Sequence, residues 1–411
     1  MSTPFLNTVG TTSFTRAPGD AGAIQEGVKW GGAYGTGVTL TFSFPAGEAF
    51  HVSGYSEFSS LYALSSTEKA AVRDALAQWG SVADITFVEV GDTKTEVGDL
   101  RFGVTDAVGK KAAAYAYLPG ADPAAGDVWF GADAWHTKPS TPVKKGSYDY
   151  LVVLHEAGHA IGLKHPFESP QKISTQHDSF AYTIMSYTAT PGENGNYANF
   201  YPTTPMYYDL VNIQGIYGRG VHNAGDTTYV YKSGTHYWET IDDSGGVDTI
   251  VHQGSEKARI DLNIGGWSDL GKSIKFAYSS TKDTVAIGPD TVIENATGGK
   301  GRDTLIGNDV ANVLSGGKGK DTLIGGGDGD TFTFSAKLTG GNFDTIKDFA
   351  SGLDIIAISQ TLVTALGKGV VSAEDFADHF AYDNGTLAYD GKAVAKLVGA
   401  PTLDACDLFV V

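Results

Sequence analysis

The chain has 411 residues, 47 acidic against 29 basic, and a formal charge of −18 at neutral pH; so acidic a surface repels nucleic acid and anionic membranes. A hydrophobic fraction of 41% with only 18% charged residues excludes wholesale disorder. Glycine is in excess at 54 residues against 14 prolines, which points to tight turns and not to collagen, and the single cysteine, Cys406, excludes an intrachain disulfide and a cysteine-based metal site.

Residues 1–25 are polar and rich in Gly, Ser and Thr, and read as a leader or propeptide. They lack the basic-then-apolar order of a secretory signal, and no later run reaches the ~20 apolar residues of a membrane span. Val38, Leu40, Phe42 and Phe44 alternate with polar residues and predict a strand. Ser65 and Glu68 form a capping-box pattern ahead of Val72, Leu76 and Trp79 at helical spacing, so a helix follows. Further strands are expected at residues 85–90, 100–104 and 112–118, the last closed by Pro119 and Gly120. Ser147 caps a second helix running to about Gly162, with Leu151, Leu154 and Ile161 on its apolar face. Mixed strands and helices thus make residues 26–218 an α+β or α/β domain.

Helical periodicity largely disappears after Gly218. From Gly298 a nine-residue repeat sets in: GGKGRDTLI, GNDVANVLS, GGKGKDTLI and GGGDGDTFT. Leu305, Leu314, Leu323 and Phe332 keep the apolar position of each repeat, which a flexible glycine linker would not do. In this pattern the turns offer calcium their carbonyls and carboxylates. The ligands expected are Gly299, Gly301 and Asp303, then Asn308, Val310 and Asn312, then Gly316, Gly317, Gly319 and Asp321, then Gly325, Gly326, Asp328 and Asp330. Two repeats make one coil, so Asp303 and Asp321 should stack on one edge, while the neutral amide of Asn312 should weaken its own site. Residues 219–345 therefore read as an all-β parallel β-roll, and 346–411 as a β cap ending in the acidic-then-apolar tail Asp407–Val411.

His155, Glu156 and His159 lie in HEAGH, which puts both imidazoles on one helix face, one turn apart. Gly162 permits a positive-φ turn that returns His165 as a third ligand. Three neutral histidines leave one coordination position for water, as a catalytic zinc requires, and Glu156 is placed to act as its general base. The remaining histidines (His51, His136, His177, His222, His236, His252 and His379) are scattered and read as surface or core residues; only His177 lies near the active-site segment in sequence.

HEAGHAIGLKHP followed by Met185-Ser186-Tyr187 resembles the metzincin metalloproteases, and its pairing with GGxGxD repeats resembles the serralysins in particular. The resemblance begins near residues 27–32 and 40–45 and covers nearly the whole chain. It implies a zinc-dependent endopeptidase, with Met185 as an apolar floor under the histidines. Tyr187 would be a loose fifth ligand that swings away to hydrogen-bond the oxyanion. The same resemblance makes Ala112, Ala113, Ala114, Tyr115, Ala116 and Tyr117 the edge strand that binds extended substrate. It places further calcium at Asn223, Gly225, Thr227, Asp243, Gly245, Gly246, Asp248, Val292 and Glu294, with Asp344 also contributing. The resemblance also implies one catalytic Zn2+, several structural Ca2+ ions, and secretion through a type I pathway guided by the C-terminal tail. Partners expected are protein or peptide substrates, the type I export machinery and a proteinaceous inhibitor, with the chain a monomer. Two other readings exist. A calcium-dependent adhesion protein with a relic protease domain would have little reason to keep Glu156 with all the zinc ligands. An astacin would share the Met-Ser-Tyr turn but not the repeats.

Overall fold

The structure is a computed structural model describing residues 9–47, 49, 55–110, 112–135, 143–193, 195–336 and 343–411; His51, His136 and the first eight residues of the expected leader lie outside the described residues. The chain divides into two compact units. One runs to His222 and also takes Trp238–Thr240 and Ile274–Ser280; the other takes Asn223–Tyr237, Ile241–Ser273 and Thr281–Val411.

The first unit is mixed α/β. Its main sheet contains β1 (Val38–Ser43), β2 (Leu61–Tyr62), β3 (Ile85–Glu89), β4 (Leu100–Thr105), β5 (Ala114–Ala116) and β6 (Val128–Gly131). The strand order is β3-β1-β4-β6-β5, with β2 paired to β4. Strands β3, β1, β4 and β6 run parallel, whereas β5 is antiparallel to β6 and has the sheet edge. Regular strand geometry at β5 is shorter than the expected 112–118. Pairing nonetheless continues on both sides, from the Gly131 amide to the Ala113 carbonyl (2.8 Å) and from the Tyr117 amide to the Asp127 carbonyl (2.9 Å).

Helix α1 (Ser66–Val82) opens on the expected capping box, in which the Glu68 amide donates to Ser65 Oγ at 3.3 Å and the Ser65 amide to Glu68 Oε2 at 2.7 Å. Helix α2 (Tyr148–Ala160) is capped by Ser147. The sequence predicted one apolar face here, but every residue from Tyr150 to Ala160 is buried. The reason is that α2 is covered on a second side. The Trp79 indole donates to the Leu154 carbonyl at 3.1 Å. A Cβ on Gly158 would stand 2.8 Å from Met185 Sδ and 3.1 Å from the Trp79 ring, so this glycine is what lets the two layers meet. Helix α3 (Tyr207–Tyr217) completes the unit.

The second unit is strand-rich. One ladder runs parallel through Thr228–Lys232, Thr249–Gln253, Asn295–Thr297, Val313–Ser315, Thr331–Phe334, Ile355–Ile358 and Leu408–Val410. The other runs parallel through Arg259–Asp261, Thr304–Ile306, Thr322–Ile324, Asp344–Ile346 and Lys392–Leu397. Leu305 pairs with Leu323 and Leu314 with Phe332, and all of them are fully buried in one apolar core. Residues beyond 346 extend both ladders: the hairpins of residues 380–397 close the second, and Gly369–Val370, antiparallel to Leu408–Val410, ends the first. A short helix, α4 (Ala373–His379), interrupts them; its seven residues are too few for periodicity to register in the sequence.

Candidate active site

Helix α2 carries His155, Glu156 and His159. At its end Gly162 takes φ +106°, and an added Cβ would come within 2.8 Å of the Val28 carbonyl. The chain turns there and brings His165 back. Its ring meets the other two at centroid distances of 5.3 Å for His155 and 4.5 Å for His159.

Each imidazole is oriented through its Nδ1. The partners are the Ile184 carbonyl for His155 (2.8 Å), the Leu163 carbonyl for His159 (2.7 Å) and Glu168 Oε1 for His165 (2.7 Å). These oxygens accept, so Nδ1 carries the proton and Nε2 presents a lone pair. The Nε2 of His165 lies 3.3 Å from that of His155 and 3.1 Å from that of His159. Lone pairs so close repel one another unless a cation sits among them. Nitrogens bound at 2.0–2.1 Å to a tetrahedral zinc stand about 3.3 Å apart, so the donor set fits zinc in chemistry and in spacing. Burial lowers the His155 ring to about 4 and holds His159 well below its ordinary value, which keeps both neutral for coordination.

Glu156 is buried beside this cluster, and its Oε2 has no hydrogen-bond partner. An orphaned carboxylate oxygen against a metal-ready histidine set is a group waiting for a ligand. Burial pushes its carboxyl up to about 8, a shift that a divalent cation next to it would oppose. Glu156 lines a cavity of about 280 Å³ together with Ala112, Ala113, Ala114, Leu151 and Tyr187. A second cavity of about 190 Å³ lies past Glu156 and is bordered by Ala114, Tyr115, Ala116, His159 and His165. The edge strand β5 therefore runs along the cleft. Tyr187 is more than half exposed, and its ring lies 4.6 Å from that of His165. Met185 is fully buried under Gly158.

Three supporting residues were missed in the sequence. Asp209, from α3, accepts from Thr183 Oγ1 (2.6 Å) and from the amides of Ile184 and Met206 (2.8 Å each). It thereby fixes the turn that carries both Met185 and the carbonyl holding His155. Lys164 is buried, and its ammonium donates to the carbonyls of Glu168 and Gln171 at 2.9 Å each, which shapes the loop after His165. Glu168 orients His165 itself. His177 does not line the cleft: its Nδ1 pairs with Asp20 Oδ2 at 2.8 Å.

Comparison with known proteins agrees with this geometry. Residues 55–176 match the family model described as Matrixin, and residues 212–398 match the one described as Peptidase M10 serralysin C terminal. A serralysin of Photorhabdus luminescens is 32% identical over 420 aligned residues, covering 89% of this chain and 83% of the relative. The chain belongs to the serralysin family of zinc metalloendopeptidases. A metallopeptidase AprA of Pseudomonas marginalis is 30% identical, with 90% of this chain and 83% of the relative covered. Serralysin C of Dickeya chrysanthemi is 32% identical over 70% of this chain and 63% of its own length.

In the second unit of this serralysin the turns bring carboxylates together in a regular way. Asp303 donates its amide to Asp321 Oδ1 (2.7 Å), eighteen residues on, and Asp321 donates its own to Asp344 Oδ1 (2.9 Å). The other ladder repeats the device: Thr227 to Asp248 (2.7 Å), Asp248 to Glu294 (2.7 Å), Asn312 to Asp330 (2.9 Å) and Asp330 to Asp354 (2.9 Å). The remaining oxygens Asp248 Oδ2 and Asp321 Oδ2 are buried without a hydrogen-bond partner. Burial and neighbouring carboxylates raise Asp321 to about 7, and burial above all raises Asp248, Asp330 and Asp344 to about 6. Hard, orphaned oxygens in turns of glycine carbonyls fit calcium. Asn223, at φ +51°, reaches Tyr229, which donates to Asp243 Oδ2 at 2.6 Å; Asp243 Oδ1 accepts from Gly245 at 3.0 Å, and Gly246 packs on the Gly225 backbone. At the degenerate repeat the Asn312 amide donates to the Glu294 carbonyl (2.9 Å) and to Asn308 Oδ1 (3.0 Å), so hydrogen bonds close the ring there. Val292 and Val310 have exposed side chains and offer only backbone oxygen to this chemistry. Asp354 and Asp348 were missed, although Gly352-Leu353-Asp354 repeats the Gly-x-Asp spacing of the repeats. Asp348 accepts from the amides of Gly325 (2.9 Å) and Gly326 (3.1 Å).

Proposed function

We propose that this serralysin cleaves internal peptide bonds of extracellular proteins, with Glu156 as general base and a substrate strand laid antiparallel along Ala112–Tyr117. The convergence of three proton-free Nε2 atoms next to the unpartnered Glu156 Oε2 is the observation that carries this reading. His155, His159 and His165 would hold zinc, which when bound supplies a Lewis acid and lowers the pKa of water to about 7. Glu156 takes one proton from the attacking water and passes it to the amine as the carbon–nitrogen bond breaks. Tyr187, standing exposed at the rim, donates its hydroxyl proton in a hydrogen bond to the oxygen of the tetrahedral intermediate. The backbone of β5 pairs with the substrate and sets its register.

The second unit is, in this reading, a β-roll stabilised by calcium at the Asp303, Asp321 and Asp344 edge and at the Asp248, Glu294 and Asp330 edge. Calcium is scarce in the cytosol and abundant outside, so such a unit completes its folding after export. Among the described residues no helix is long and apolar enough to cross a membrane. Export through a type I pathway is consistent with the family and with the acidic-then-apolar tail.

Casein hydrolysis by the purified protein beside Glu156→Ala, with zinc measured in both by elemental analysis, tests the proposal. The variant should lose at least about 100-fold in rate while keeping about one zinc. Full turnover by Glu156→Ala would remove Glu156 as the base. Zinc-loaded wild type that cleaves nothing would overturn the protease assignment.

A further inference from the structure

The back of the substrate strand is tied to one buried carboxylate. Glu57 is almost fully buried, and its Oε1 accepts from the hydroxyls of both Tyr115 (2.6 Å) and Tyr117 (2.7 Å). Its Oε2 accepts from Ser56 Oγ at 2.9 Å, and its carbonyl accepts from Thr105 Oγ1 at 2.8 Å, so the carboxylate is itself fixed to the sheet. Side chains alternate along a strand, so Tyr115 and Tyr117 share one face while Ala114 and Ala116 share the other. The backbone alternates too. Ala113 and Tyr117 bond inward to Gly131 and Asp127, and Tyr115 pairs with Trp129 between them, which turns the amides and carbonyls of Ala114 and Ala116 to the open edge.

An edge strand of three residues has little to hold it in place. It is paired on one side only, and the side chains on its other face are methyl groups. The tyrosines add a second hold to that backbone pairing. Their rings meet edge-on at 5.7 Å, and both hydroxyls end on the same oxygen. Burial opposes the charge on Glu57, but its hydrogen bonds, led by those from the two phenols, outweigh it and keep the carboxyl below its ordinary value, as an ionised double acceptor requires. From the protease reading above, and resting on it, we infer that Glu57 is a positioning residue for substrate: by clamping Tyr115 and Tyr117 it holds the Ala114 and Ala116 backbone in line for an extended peptide. Glu57 takes no part in the chemistry, and its effect should fall on peptides long enough to pair with the strand.

The test compares the zinc-loaded full chain with Glu57→Ala and Glu57→Gln on two substrates. One is a quenched fluorescent peptide long enough to lie along the whole strand. The other is a short blocked peptide reaching only the residues beside the scissile bond. Glu57→Ala should lose about tenfold in kcat/KM on the long peptide, carried by KM, while the short peptide changes little. Glu57→Gln keeps an acceptor oxygen and should recover most of the loss. Should Glu57→Ala fail to fold, the double variant Tyr115→Phe/Tyr117→Phe removes both donors, keeps both rings and should raise KM for the long peptide in the same way. Equal losses on both substrates, or no loss on the long one, would overturn the inference. Failure of the wild type on both peptides would instead strike the protease reading.

Discussion

Replacing Asp209 by alanine should damage both the stability of the catalytic unit and its hold on zinc. The side chain is fully buried and is the acceptor for two backbone amides and one hydroxyl. Leaving a buried donor unpaired costs about 1–3 kcal/mol. Thr183 can rotate its hydroxyl, so the two amides dominate and the gross loss is about 2–6 kcal/mol. A relief works against it: burial has pushed the Asp209 carboxyl up to about 7, so part of its desolvation cost disappears with it. The net destabilisation should be about 3 kcal/mol, which for a unit of roughly 200 residues lowers Tm by roughly 6–12 °C. The Ile184 carbonyl, whose own amide Asp209 anchors, is the acceptor for His155 Nδ1. Loss of such an outer partner typically weakens metal binding about 10–100-fold. Calorimetry gives the first number, and competition against a chelator of known zinc affinity gives the second. Asp209→Asn keeps one acceptor oxygen and should fall between. An Asp209→Ala protein with unchanged Tm and unchanged zinc affinity would refute the reasoning.

Two further outcomes follow from buried carboxylates. Burial pushes Asp127 up to about 8, so between its ordinary value near 4 and about 8 the folded protein holds a proton that the unfolded chain has released. Its contribution to stability is thus fully present below about pH 4 and is lost as the pH rises towards 8. Asp127→Asn has no such proton, so its Tm relative to wild type should climb from pH 4 to 8 and then level off; a difference flat with pH would count against the shift. For the second unit, a calcium-selective chelator should collapse the far-UV strand signal, and Asp321→Ala should bind at least one ion fewer by isothermal titration. A spectrum indifferent to the chelator would rule out calcium as its staple.

The histidine cluster beside Glu156 was legible because it is local. His155, Glu156 and His159 share one helix turn, Gly162 announces the bend, and His165 follows within the same eleven-residue segment. The apolar positions of the repeats were legible for the same reason, since Leu305, Leu314, Leu323 and Phe332 recur at a fixed period. What could not be read were partners that meet only through the fold. Glu57 reaches Tyr115 across 58 positions and Asp209 reaches Ile184 across 25, and nothing near either acid marks its partner. The full burial of α2 was hidden too, because it depends on Trp79 and Met185 closing over a face that Gly158 leaves bare. Asp354 was within reach, for its Gly-x-Asp spacing stood in plain sight outside the phased array.

The carboxylate ladders of the second unit have a direction. Except at Asn312, whose side-chain amide donates to the Glu294 carbonyl, the side chain of the later residue accepts from the amide of the earlier one, and the amide after the later residue returns a bond to the earlier carbonyl, as Thr322 does to Asp303 and Ile355 to Asp330. Each rung therefore runs both ways: a coil's amide is satisfied by the carboxylate of its successor, and the successor's next amide by the carbonyl of the coil before it. The array behaves like a row of interlocked stitches: losing a coil at either end takes two partners from its neighbour, and what differs is that the charged acceptor always belongs to the later coil. A carboxylate from later in the chain thus fastens what comes before it as far as Asp407, which accepts from the Gly352 amide at 2.9 Å.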